Sequence, residues 1–234
     1  MGDDAYDGYT RFKNWDEDDF GRPDEDECRF FEAEVTPLLK NAPASSSILE
    51  VGFGNGHFLG WAKGKAARVC GSEVQSELAA RAERMGIAVV RDLENLPAGS
   101  FDLIAAFDVF EHIPYQQLVR LIGGFHRALK PGGALLARFP NGDSPFSLPV
   151  THGDATHVTV LGAGMVHDMM GREPWQGYDL RAPAEPSSGV VHGLKITAKK
   201  GLRALFRLYA KAAYLGQSAP STFTINYMLV ATKR

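Results

Sequence analysis

Five short apolar runs interleaved with helical segments fill residues 48–139 of this 234-residue chain, and that alternation restricts the fold more than any other feature. The runs are residues 48–51, 67–71, 87–90, 101–107 and 134–139; helical periodicity marks 58–63, 76–85 and 115–129 between them. Near-continuous apolar strands alternating with amphipathic helices predict a parallel sheet covered on both faces. Helix stops agree with the boundaries: Gly86 follows Met85, and Pro131-Gly132-Gly133 follows Lys130. Upstream, Phe30, Phe31, Val35, Leu38 and Leu39 recur at helical spacing, with Pro37 and Pro43 punctuating the end. Downstream, residues 140–161 are rich in turn formers and read as a long loop, the kind of segment that carries function in a compact domain. A short helix at 164–170, a strand at 178–181, a Pro/Ser linker at 183–188, a basic helix at 199–215 and a strand at 223–232 complete the expected order.

Directly after the first apolar run stands Glu50-Val51-Gly52-Phe53-Gly54-Asn55-Gly56, a loop that lets the backbone turn tightly and approach a ligand before a helix begins. The dinucleotide fingerprint GxGxxG fails here, because His57 follows Gly54 at the third position and Leu59 follows Gly56. A looser spacing, Gly54, Gly56 and Gly60, leaves a nicotinamide cofactor open. The acids weigh against it. Glu50 lies inside the motif, Glu73 closes the second run, Asp92 the third and Asp108 the fourth. In an open parallel sheet these four carboxylates gather beyond the carboxyl ends of the strands, where they repel a pyrophosphate and attract a cationic, phosphate-free ligand. Glu73 is placed for ribose hydroxyls, Asp92 for an adenine amino group, and Glu50 or Asp108 for an ammonium.

These residues resemble the class I S-adenosylmethionine-dependent methyltransferases. The resemblance runs from about residue 47 to 140 in four ordered blocks: Ile48 to Gly56, Gly71-Ser72-Glu73, Phe101 to Ile104 with Asp108-Val109-Phe110-Glu111-His112-Ile113, and Leu129 to Gly133. It implies a Rossmann-like seven-stranded sheet, order 3-2-1-4-5-7-6 with the seventh strand antiparallel and helices on both faces. It implies S-adenosylmethionine as cofactor and S-adenosylhomocysteine as product. Cofactor contacts would come from Glu50, Gly52, Phe53, Gly54 and Gly56, from Glu73 and Val74, from Asp92 and Leu93, and from Asp108 and Val109.

Methyl transfer from a sulfonium demands alignment and exclusion of water, and an alcohol acceptor also needs a base. The candidates are His112, just past the fourth strand, and His152, Asp154 and His157 in the long loop. The last three could hold a proton relay or even a metal, or the loop could be tied down by side-chain hydrogen bonds. No spacing fixes three ligands on one rigid element, so no metal is expected. Residues 139–146 with the Gly-Asp-Ala-Thr-His stretch resemble bacterial methyltransferases of surface-polysaccharide and other glycan pathways, which points to O-methylation of a sugar or glycan-linked hydroxyl. Quinone and other small-molecule acceptors are the alternative; a non-catalytic cofactor-binding protein belongs to another class.

Formal net charge is −3, with 44% hydrophobic and 23% charged residues, the balance of a globular chain. The sum hides a polarised sequence. Residues 1–27 carry eleven acids against three bases, together with Tyr6, Tyr9, Phe12 and Trp15; residues 186–234 carry eight bases and no acid. The acidic aromatic start reads as a lid over a domain spanning 28–234. The basic amphipathic helix within 195–215 either packs with its bases in solvent or meets an anionic membrane surface or a phosphorylated substrate. Opposite signs favour contact between the two ends, in one subunit or across a homodimer. Nucleic acid is not an expected partner, since no aromatic-basic surface motif accompanies the helix. With no run long enough to span a bilayer and no secretory pattern, a cytoplasmic location is expected. Cys28 and Cys70 form no CxxC pair and read as reduced thiols.

Overall fold

The computed structural model describes Lys13, residues 18–40 and residues 43–234. Tyr6, Tyr9, Phe12 and Trp15 therefore lie outside the described residues. Strands β1 (Ser47–Val51), β2 (Arg68–Ser72), β3 (Ala88–Val89), β4 (Phe101–Phe107), β5 (Leu129–Pro140), β6 (Trp175–Arg181) and β7 (Asn226–Lys233) form one sheet in the order 3-2-1-4-5-7-6. The first five run parallel; β7 is antiparallel to both β5 and β6. This is the order and the reversed last strand that the motif resemblance implied.

Side-chain alternation divides the sheet into two buried faces, as expected when helices cover both. Leu49, Ile104, Leu135 and Leu229 point to one side, under α4 (Tyr115–Ala128) and α6 (Ala163–Met170). Ile48, Leu103, Leu136 and Met228 point to the other, under α1 (Glu25–Val35) and α2 (His57–Lys63). There Phe31, Phe58 and Phe107 pack edge-to-face or tilted, with centroids 5.2–5.5 Å apart. Helix α3 (Ser76–Arg84) closes a smaller cluster of Phe53, Leu59, Leu78 and Ile87.

Besides shifts of a few residues at strand ends, such as β6 starting at Trp175 and β7 at Asn226, three features differ from the sequence expectation. Strand β5 starts at Leu129 and runs through Lys130-Pro131-Gly132-Gly133, with Leu129 paired to Phe101 and a register shift before Leu103. The glycines and proline make an irregular strand entry where they were read as a break. Within the expected loop 140–161 stands a one-turn helix, α5 (Leu148–His152). The basic helix, α7 (Val190–Ala210), begins nine residues earlier than its charges suggested.

The acidic start enters the fold through its last residues. Asp24 caps α1 in a reciprocal capping box with Glu27. Gly21 donates its N–H to Asn55 O at 2.9 Å, and Phe20 packs edge-on against Phe53 at 6.3 Å. Glycine at position 60 permits this approach, since a Cβ there would run into the carbonyl of Gly21. We predict that Gly60→Val lifts residues 18–22 off α2 and leaves the sheet intact. Limited proteolysis should then cut near Phe20 and Arg22 at least tenfold faster while the far-ultraviolet spectrum is retained; an unchanged cleavage rate would refute the close approach as the anchor.

Candidate active site

A cleft of about 1090 Å³ opens at the carboxyl ends of β1, β2 and β4, where the strand order reverses. Its floor is the glycine loop. Gly52, Gly54 and Gly56 all have positive φ, and a Cβ on Gly52 would meet Val109 Cγ2 at 2.6 Å. A side chain there would fill the space next to Val109 as well as strain the backbone, so the sequence can only be glycine-rich here. Gly60, by contrast, is occupied with Gly21, which gives the looser glycine spacing a cause other than a nicotinamide cofactor.

The four carboxylates come together as expected from the topology, and all line the cleft. Their surroundings differ. Glu50 is 3% exposed; burial first and the charge of Glu73 second push its pKa well up, while the N–H of Leu59 stabilises it. Its Oε2 has no hydrogen-bond partner among the described residues, which leaves a buried acceptor position for a cationic ligand. Glu73 stitches the loop to the end of β2, accepting from the N–H groups of Gly54 at 3.0 Å, Val74 at 2.7 Å and Gln75 at 3.1 Å. Asp92 accepts from Glu94 N–H at 3.0 Å and from Asn95, both Nδ2 at 2.8 Å and N–H at 3.1 Å; the Asn95 contacts hold its pKa down. Asp108, at φ 56, is gripped by Arg138 through Nε at 3.0 Å and Nη2 at 2.5 Å, so the cation it holds here is a guanidinium. Phe53, Val74, Leu93 and Val109 complete the walls near these acids.

The long loop folds back onto the turn Phe110–His112. The carbonyl of Glu111 accepts from Val158 N–H at 2.8 Å and Thr159 N–H at 3.0 Å, and Thr159 Oγ1 donates to Ile113 O at 2.7 Å. Buried Asn141 donates to the carbonyls of Thr222 and Thr224, both at 3.1 Å. The loop is therefore tied down against the turn that carries His112, a residue of the cleft lining.

His112 lines the cleft and sits edge-on to His157, ring centroids 4.7 Å apart. Thr156 Oγ1 donates to Asp154 Oδ1 at 2.6 Å, which makes it the acceptor for His112 Nδ1–H at 2.9 Å. That chain assigns the tautomer and leaves Nε2 as the lone-pair nitrogen of the ring. Burial, then the neighbouring His157, lowers the pKa of His112, so the ring is neutral near pH 7 and able to take a proton. His157 Nδ1 meets Thr151 O at 3.1 Å, and its Nε2 lies 3.8 Å from Asp154 and 3.9 Å from Glu111. Lys13 reaches Asp154 Oδ2 at 3.1 Å. His152 is exposed at the end of α5 and takes no part in these contacts.

Thr156, Lys13 and Glu111 were not anticipated as site residues. Glu111 sits inside the motif-like stretch but shows its character only on burial: desolvation, then the charge of Asp108, push its pKa to about 8. Among the described residues, donor atoms of Glu111, His112 and His157 lie within 4.8 Å of one another, near enough for a divalent ion. Both Nδ1 atoms are committed to hydrogen bonds, with Thr156 Oγ1 and Thr151 O, an arrangement that suits proton handling and ligation through Nε2 alike.

Glu111 carries a pH signature. Between about 4.5 and about 8 the folded chain keeps a proton that the unfolded chain has released, so stability falls as pH rises through that window and levels off above it. Thermal melts of the native chain should show this decline. In Glu111→Gln it should shrink by roughly 5 °C; superimposable profiles would exclude Glu111 as the group.

Residues 24–183 match the family described as the methyltransferase domain. No curated protein matches the sequence. Among solved structures, an S-adenosylmethionine-dependent methyltransferase from Archaeoglobus fulgidus superposes with a TM-score of 0.62 at 15% identity, over 88% of this chain and 94% of that one. A second from Mesorhizobium loti gives 0.56 at 19% identity, over 87% and 100%. The magnesium protoporphyrin IX methyltransferase of Synechocystis, solved with S-adenosylmethionine bound, gives 0.54 at 13% identity, over 98% and 94%.

Proposed function

The chain belongs to the methyltransferase-domain family, and on that premise we propose that it transfers a methyl group from S-adenosylmethionine to a hydroxyl of a sugar or glycan-linked acceptor. The observation that carries the hydroxyl reading is the His112–Thr156–Asp154 chain, a neutral imidazole held at the cleft edge by a buried carboxylate.

S-adenosylmethionine supplies an electrophilic methyl on a sulfonium, and the residues present fit such a cationic cofactor. The cradle under Val109 excludes any Cβ, Glu50 offers an unmet acceptor, and Glu73 closes β2 beside the glycine loop. In this reading Glu73 holds ribose hydroxyls and Glu50 or Asp108 faces the ammonium, with Val74, Asp92 and Leu93 toward the adenine.

His112 Nε2 takes the acceptor proton as the hydroxyl oxygen attacks. The imidazolium that results is stabilised through Thr156 by Asp154, whose charge Lys13 balances. A base of this kind contributes about two to four orders of magnitude. His157 packs against the ring and keeps its face from solvent. The acidic start is assigned the role of a lid; of its described residues, Lys13, Asp26 and Glu27 line the cleft and Phe20 packs edge-on against Phe53. A quinone or another apolar acceptor is the second reading, favoured by Ile113 and Leu121 on the same wall.

Screening acceptors by mass spectrometry, beginning with glycan intermediates, tests the substrate class; methylation of quinols alone would move the assignment to the second reading. His112→Ala is expected to lower turnover about 10²- to 10⁴-fold with S-adenosylhomocysteine affinity retained by calorimetry. Loss below tenfold would remove His112 from the role. Glu73→Ala should weaken cofactor binding far more than it slows turnover at saturation. Deleting residues 1–22 should reduce turnover or acceptor affinity without unfolding the domain, and unchanged kinetics would dispose of the lid.

A further inference from the structure

Helix α7 turns its apolar side outward. Over 21 residues, about 30 Å of helix, only Ile196 and Ala210 are buried. At 100° per residue Val191, Leu194, Leu202, Leu205 and Tyr209 fall on one arc with Leu208 at its edge, and all are exposed. Leu202, Leu205 and Leu208 leave 68, 66 and 65% of their surface uncovered. The face toward the body is held by charge: Lys199 and Arg203 pair with Glu185 at 3.0 and 2.9 Å. Phe206 then seats the helix, edge-on to both Phe146 and Phe223 at 5.1 Å. Exposed Phe146, Leu148 and Val150, from the acceptor-side loop and α5, extend the apolar surface beyond Phe206. This is the reverse of a helix packed with its bases in solvent, and a continuous patch of this length marks an interaction face.

We propose that this face lies on a lipid bilayer containing anionic headgroups, with α7 in the plane of the interface. Charge selects the occupant. Lys195 borders the arc on one side, Lys200 lies well beyond Leu208 on the other, and Lys211 follows the last turn; residues 186–234 contain no acid. Leucines with flanking lysines suit acyl chains beneath phosphates. A second copy packed face to face would oppose these bases to one another. No helix among the described residues is long and apolar enough to cross a membrane, so contact in the plane is the mode available to α7. The first turn of α7 is near the cleft: His192 lies within electrostatic range of Asp26, a residue of the cleft lining. The bilayer would thus lie beside the entrance, where a lipid-linked acceptor could be reached without leaving the membrane; the surface itself does not depend on what the acceptor is.

Co-sedimentation of the full chain with vesicles tests it, comparing phosphatidylcholine alone with phosphatidylcholine containing phosphatidylglycerol. Binding is expected to the anionic vesicles, at least tenfold stronger than to the neutral ones and weakened by salt. Leu202→Ser with Leu205→Ser and Leu208→Ser should abolish it. Replacing Lys195, Lys200 and Lys211 by Gln should lower partitioning roughly a hundredfold. The exposed substitutions should leave the melting temperature and S-adenosylhomocysteine affinity unchanged, which separates loss of the face from loss of the fold. A full chain that stays in the supernatant at every lipid concentration overturns the proposal, as does binding that survives the serine variant. A dimer dispersed by that variant, without vesicle binding, would assign the face to a second copy.

Discussion

Parallel pairing of β1 with β2 on one side and β4 on the other is the constraint on which the rest of the structure depends. Chains leaving these strands depart to opposite sides of the sheet, so their carboxyl ends cannot be covered by one another and a cleft opens between them. The glycine loop crosses that opening close to the backbone: Gly52 N–H donates to Ser72 O at 2.7 Å, and Asp108, the residue after β4, turns back through a left-handed conformation. Every acid at a strand end faces the same space in consequence. Even the acceptor side is set by this pairing, since the turn carrying Glu111 and His112 begins three residues after β4 ends.

Buried charge distinguishes the two halves of the cleft. On the cofactor side Glu50 sits beneath the loop with one oxygen unmet, a costly arrangement unless a positive ligand arrives. Near His112, burial pushes the pKa of Glu111 up, and Asp154 meets the Lys13 ammonium and the Thr156 hydroxyl. Similar carboxyl groups thus differ in character according to burial and neighbours. The polarised ends divide in the same way. Acids 24–27 are consumed in capping α1 and pairing with Arg29 and His57, while two bases of α7 are consumed by Glu185, leaving the leucines of α7 outward.

Much of the fold was legible because its signal is local. Apolar runs at 48–51 and 101–107 became β1 and β4 nearly residue for residue, since strands buried on both faces need unbroken apolar sequence. The entry of β5 was not legible: Pro131 and the two glycines carry a turn signal, and only pairing with β4 draws Leu129 into the sheet. α5 contains too few residues for any periodicity. The start of α7 was hidden because Val190, Val191 and Leu194 lack the charges by which the helix was recognised.

The sequence by itself determined the sheet, the glycine loop, the four carboxylates and the histidines able to act as a base, because each rests on residue type at short spacing. Only the tertiary structure decided how those groups are used. It put Thr156 between His112 and Asp154, brought Lys13 to that carboxylate, buried Glu111 enough to hold a proton, and gave Gly60 to the backbone of Gly21. It also decided which side of α7 meets the body. These outcomes depend on desolvation and on contacts between residues tens of positions apart, and neither is written in local spacing.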